Sequence, residues 1–217
     1  MNFDEKFKAY TWKNWMHLHW IINPGLVINE LFLGQRVPKI TLIDKTTDKP
    51  KYERLFIPCP HCETIHDART WSTTNGTAFK NWFGLFCPKC NQIIPCLTNI
   101  FTYIILAITY PIWNWFQKKL KNKWLEKQPK RFINLDLTNQ PNPFEGNGWI
   151  KQGLSWGLFM FVFMTFILHL IQGEKITLWS VLIGVPIWTI GGMGFGYTMK
   201  SLMGKPKRNK NNFGNSL

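Results

Sequence analysis

Acidic side chains are scarce in this chain. Its 217 residues carry 12 Asp+Glu against 26 Lys+Arg, a formal net charge of +14. That excess suits an anionic partner, lipid headgroups or nucleic acid, with lipid first because most of the basic residues lie beside apolar segments. Catalytic signatures are missing as well. There is no G-x-x-x-x-G-K-[ST] phosphate loop, no H-E-x-x-H and no G-x-S-x-G, which removes the commonest nucleotide, zinc-protease and serine-hydrolase readings. The first residues, Met1 to Lys6, are acidic and aromatic, with no apolar core of a signal peptide and no small-residue cleavage site. The five cysteines lack the wide spacing of secreted disulfide domains. These absences predict a reducing, cytoplasmic environment for the thiols.

Charge is also absent from three long stretches, residues 91–116, 152–173 and 176–199. Each exceeds the roughly 20 residues needed to cross a bilayer. Only Glu174-Lys175 separates the second from the third, which predicts a tight antiparallel transmembrane hairpin. No acid or base lies inside these stretches apart from His169, so a pump or transporter, which needs such groups for its ion path, is disfavoured. The aromatic content of 16%, with 12 Trp and 17 Phe, suits an interfacial belt. In the third stretch Gly192 and Gly196 form a small-xxx-small pair that lets helix backbones approach, against the neighbouring helix or a partner. Pro186 predicts a kink there.

The first stretch raises a question of sidedness. Lys118, Lys119, Lys121, Lys123, Lys127, Lys130 and Arg131 follow it, and Lys200, Lys205, Lys207, Arg208 and Lys210 follow the third. Short basic flanks remain cytoplasmic. A crossing at 91–116 would put the cysteines outside, where thiols oxidise. The expectation is therefore a re-entrant or interfacial segment, broken near Pro95 and Pro111, with a conventional third crossing as the alternative. A re-entrant turn needs protein to cover it.

What is present in the cysteines is specific. Leu55-Phe56-Ile57-Pro58-Cys59-Pro60-His61-Cys62 and Leu85-Phe86-Cys87-Pro88-Lys89-Cys90 are near-copies, their first cysteines 28 residues apart. Each is a strand-like run ending in Cys-Pro-x-Cys. Two such turns can gather Cys59, Cys62, Cys87 and Cys90 around one tetrahedral ion, with Zn²⁺ the usual occupant and iron the alternative. Over residues 53–92 the pattern Cys-x2-Cys-x24-Cys-x2-Cys between strands resembles a zinc ribbon. The resemblance implies a structural Zn²⁺, since four protein ligands leave no open coordination position. It does not imply a substrate. His61 or His66 is placed to bond a thiolate, and Cys96 falls outside the pattern as a buried free thiol.

Elsewhere, residues 12–22 predict a short aromatic helix, ended by Asn23-Pro24-Gly25. A second apolar helix follows, with Asn23 as cap and Gly34 beyond its end. Residues 40–43 predict a strand and 53–57 its returning partner. Residues 70–75 predict a polar loop, and Phe79, Trp82 and Phe83 one helical turn.

Together these readings predict an α+β membrane protein. Residues 1–92 form a soluble or interfacial zinc-ribbon domain facing the cytoplasm, and 93–116 an apolar re-entrant or transmembrane segment. A basic loop or linker follows at 117–151, then a transmembrane helical hairpin at 152–199 and a basic tail at 200–217. The expected function is a multi-pass adaptor of the cytoplasmic membrane, not an enzyme, that binds anionic headgroups through its Lys/Arg runs and docks a protein partner. Two alternatives differ in class. One is nucleic-acid binding through the ribbon and the tail. The other is an enzyme acting on a lipid-linked substrate through His17 and His19 with Glu30 or Asp67.

Overall fold

The computed structural model describes residues 5–137, 140 and 142–204. Lys205, Lys207, Arg208 and Lys210, expected as headgroup contacts, lie outside the described residues. The chain divides into two compact units, Met1–Thr47 with Arg54–Gln140, and Asp48–Glu53 with Pro141–Leu217.

The first unit is α+β. Strands β1 (Phe7–Tyr10), β2 (Thr41–Asp44), β3 (Leu55–Pro58) and β4 (Ile65–Asp67) form one antiparallel sheet in that order, and β5 (Leu85–Phe86) pairs with β6 (Ile93–Ile94) in a separate two-stranded ribbon. Between β1 and β2 run helices α1 (Trp15–Ile22) and α2 (Leu26–Leu31). The Asn14 side chain caps α1 by accepting from the Met16 amide, the role short polar residues play at helix starts. Asn23 accepts from the Gly25 amide at the entrance of α2. β1 carries no strong alternation, and nothing local in the sequence announces it. It exists because its register on β2, Phe7 opposite Asp44 and Tyr10 opposite Thr41, covers an edge.

Two local expectations fail. Residues 70–75 are not wholly loop, since a 3₁₀ turn spans Ala68–Trp71. Phe79, Trp82 and Phe83 do not share a helical turn; Phe79 and Trp82 each remain 38% exposed, because the backbone of Lys80 and Asn81 is instead bonded to Leu33 and Gly34.

The first uncharged stretch is not one helix. It contributes β6, then α3 (Ile100–Ile108), then, after a break at Thr109, the start of α4 (Tyr110–Arg131). Residues 117–131, expected within a basic loop or linker, are helical instead, and helix resumes at Gly148. Lys, Leu, Gln and Glu favour helix there, and Trp124 and Gln128 anchor one face by burial.

The second unit is a helical hairpin, α5 (Gly148–Gln172) and α6 (Leu178–Gly204), 25 and 27 residues long. Both are long and apolar enough to cross a membrane, and only 11% of each apolar window is covered by protein. Gly173 closes α5 in the left-handed conformation, φ +70°, and Thr177 caps α6 by accepting from the Ser180 amide. The contact between them is made of backbone. A methyl added at Gly192 would sit 2.5 Å from the Gly153 carbonyl oxygen, and one at Gly196 2.3 Å from that of Trp149. So Gly192 and Gly196 face α5, where Gly153 and Gly157 are their counterparts. Trp156 stacks on Phe195 beside this seam. A π-helical turn at Phe163–Ile167 interrupts α5, and His169 Nδ1 lies 3.1 Å from the Met164 carbonyl within it. Pro186 is accommodated inside α6.

Candidate metal centre

Each Cys-Pro-x-Cys sequence is the turn of a hairpin, one between β3 and β4, the other between β5 and β6. The two turns repeat each other bond for bond. The Cys59 amide donates to the Thr64 carbonyl and the Glu63 amide to the Cys59 carbonyl; likewise the Cys87 amide donates to Gln92 and the Asn91 amide to Cys87. Glu63 and Asn91, 28 positions apart like the cysteines, both take positive φ, +57° and +60°. That left-handed residue turns the chain back and leaves amides free to face sulfur. His61 and Cys62 amides reach the Cys59 sulfur, and Lys89 and Cys90 amides reach that of Cys87.

The hairpins bring all four sulfurs within 4.8 Å of one another. Cys59 Sγ lies 3.7 Å from Cys90 Sγ, and Cys62 Sγ 3.8 Å from Cys87 Sγ. A tetrahedron with Zn–S bonds of about 2.3 Å has an edge of about 3.8 Å. The donor set therefore fits a zinc-sized tetrahedral ion and supplies every position of its coordination sphere. Cys59 and Cys87 are fully buried, while Cys62 and Cys90 are half-buried and form the more open side of the cluster.

Electrostatics set what binding a cation would require. Burial pushes the Cys87 thiol up to about 12 and raises that of Cys59. The Thr64 hydroxyl and amide hold Cys62 down to about 6. An ion bound by all four sulfurs would have to displace the protons that burial holds on Cys59 and Cys87.

His66 Nε2 lies 3.2 Å from Cys87 Sγ. Burial, then Lys89, lowers the affinity of this ring for a second proton. With Nε2 carrying its one proton, the ring donates to the sulfur, an outer contact that orients a ligand. His61 turns away to the Ile93 carbonyl. Cys96 is a free thiol, pushed by burial up to about 11.

The walls of the site come from residues that sequence reasoning did not single out. Trp71 packs edge-on against His66 and donates Nε1–H to the Phe86 carbonyl. Phe132, just past α4, packs on Phe86 and Trp71. Trp124 of α4 reaches the same core and bonds the Lys80 carbonyl at 2.6 Å. For Trp124 and Phe132 the signal in the sequence was one aromatic inside the basic run and one directly after it.

The remaining candidate residues separate. Lys118, Lys119, Lys121, Lys123, Lys127 and Lys130 project from α4 into solvent. Arg131 differs. Its guanidinium donates to the Phe79 carbonyl at 2.6 Å and to Gln128 Oε1 at 2.7 Å, which fixes the α4 terminus on the 76–81 loop. The histidine–carboxylate cluster is not assembled. His17 is buried with Nε2 3.3 Å from the Thr41 hydroxyl. His19 Nε2 contacts Asn23, Glu30 pairs with Arg36, and Asp67 pairs with Arg69.

Residues 10–106, a little under half the chain, match the family model described as a domain of unknown function, DUF8250. The match takes in both cysteine turns and most of α3. No curated protein and no solved structure matches the chain.

Proposed function

We propose that this protein is a membrane-anchored zinc-ribbon adaptor. The ribbon faces the cytoplasm, the α5–α6 hairpin holds it at the cytoplasmic membrane as a multi-pass anchor, and a protein partner docks on it. The observation that carries this reading is the closed four-sulfur site. An ion with four protein ligands has no position for substrate or water, so its work is to hold the two hairpins together. The lysines of α4 add affinity for anionic headgroups, each worth about 1 kcal/mol near such a surface.

The test uses the full chain, extracted with its lipids and compared with Cys59→Ser and Cys87→Ser. The reading expects one zinc per chain and a stoichiometric membrane-protein partner, both lost in the variants. Steeply salt-dependent RNA binding in place of a protein partner would favour the nucleic-acid alternative instead. Unchanged partner binding after zinc is lost would contradict a docking role for the ribbon.

A further inference from the structure

The segment between Asn99 and Trp124 starts and ends on one base within the first unit. At its start the Asn99 amide donates to Glu30 Oε2, and Asn99 Nδ2 donates to the Trp20 and Asn23 carbonyls, each at 2.7 Å. At its far end Trp124 bonds the Lys80 carbonyl. These anchor points adjoin one another, because Trp82 Nε1 donates to the Leu31 carbonyl at 3.0 Å and the Lys80 amide to the Leu33 carbonyl at 2.8 Å. Glu30 is fully buried and paired with Arg36, which also donates to the Trp82 carbonyl. Further hydrogen bonds support such a buried pair, and here the Asn99 amide on Glu30 and Arg36 on the Trp82 carbonyl tie α2, the start of α3 and the Trp82 loop into one base.

The outgoing limb, α3, has nine residues and rises about 14 Å, less than half of the roughly 30 Å hydrocarbon layer. With both ends held at one base, the segment cannot place them on opposite faces of a bilayer. Its surface is apolar. No charge occurs between Ile100 and Phe116, and Ile108 and Trp115 are 75% and 86% exposed. The break at Thr109 is satisfied from within. The Thr109 hydroxyl donates to the Ile105 carbonyl at 2.7 Å, and Trp113 Nε1 donates to the Leu106 carbonyl at 2.8 Å. The Ile105 carbonyl already accepts from the Thr109 amide; the Leu106 carbonyl is the one left over at the break, and in hydrocarbon it needs such a donor. Trp15 and Phe32, on and beside the packed helices, are 69% and 74% exposed, the aromatic type that lodges at headgroup level. The lysines begin at Lys118.

We propose that the α3–α4 elbow dips into one leaflet of the bilayer, its occupant being phospholipid, with Trp15 and Phe32 at the headgroups and Lys118 and Lys119 over anionic phosphates. This rests on the reading of the chain as a membrane protein and extends it: a second, one-leaflet anchor fixes the metal domain against the membrane face.

The test places single spin labels on the full chain in vesicles of phosphatidylcholine with a minority of phosphatidylglycerol. Ile108→Cys reports the elbow tip, Lys119→Cys its base, Asn14→Cys the start of α1, and Glu174→Cys the hairpin turn. The unsubstituted chain, labelled alike, supplies the background. The result expected is an oxygen-to-nickel-chelate collision ratio severalfold higher at 108 than at 119. Labels at 14 and 119 should be reached from the same face, and that at 174 from the opposite one. Equal chelate access at 108 and 119 overturns the inference, as does access to 14 and 119 from opposite faces. Spin–spin broadening at 108 that dilution with unlabelled chain abolishes also overturns it, since a second copy would then be the occupant. Any of these with 174 still on the far side leaves the hairpin anchor standing. Failure of the chain to float with vesicles overturns both.

Discussion

At the scale of single residues, the metal centre turns on how four thiols lose their protons. In the metal-free protein Cys59 and Cys87 hold their protons well above neutral pH, because burial favours the uncharged thiol. Metal binding must release both. Zinc affinity therefore rises with pH, by about a hundredfold per unit where two protons are displaced, and falls by the same factor on acidification. Competition with a chromophoric chelator across pH 6 to 8 reads this slope; a flat profile would mean that the buried pair does not bind the ion. His66 acts on the same chemistry through its bond to Cys87. His66→Phe keeps the ring against Trp71 but removes the donor, and should weaken zinc about ten- to a hundredfold with little change in the zinc-loaded fold, as read by chelator competition and circular dichroism. The clustering of the four cysteines was legible from spacing, since two Cys-x2-Cys turns on matched strand-like runs suit the coordination of one shared ion. The choice of His66 over His61 was not. It depends on β4 pairing with β3, Ile57 opposite His66, which aims one ring at the sulfur and leaves the other on the turn.

At the scale of elements, the α5–α6 seam is a contact of backbone with backbone. Gly192→Leu would drive a side chain into the Gly153 carbonyl, and dispersion contacts along the whole seam would be forfeited. Its expected effect is a lower unfolding midpoint of the full chain in mild detergent, with zinc content unchanged because the cysteines belong to the other unit. Gly194→Leu, where an added methyl meets nothing within 4 Å, should behave as wild type. Equal loss for both would show that the seam is not the contact that matters. The hairpin was legible because hydropathy is a sum over many residues. The helix at 117–131 was hidden for the converse reason. Its residues have helix propensity but no apolar stripe, and what anchors it is the burial of Trp124, Gln128 and the neighbouring Phe132, a tertiary effect that the basic composition masks. The Glu30–Arg36–Asn99 base was hidden too, although an acid in the middle of apolar α2 and an Asn directly before an apolar run were its visible traces.

At the scale of the whole molecule, two units of opposite character share one chain. One is closed around sulfur and aromatic rings, and the other exposes apolar helices along most of its length. The account depends on the first being held by metal, because its strands are short, two to four residues each, and strands of that size need a staple. Composition and charge pointed to a membrane and to an anionic surface, while the doubled turn pointed to an ion; the sequence was less informative wherever function depends on which surfaces meet. The most direct measurement is X-ray absorption at the zinc edge on the full chain purified without added metal or chelator. The account predicts one zinc per chain with four sulfur neighbours at about 2.3 Å. Absence of zinc together with disulfides among Cys59, Cys62, Cys87 and Cys90 would contradict it.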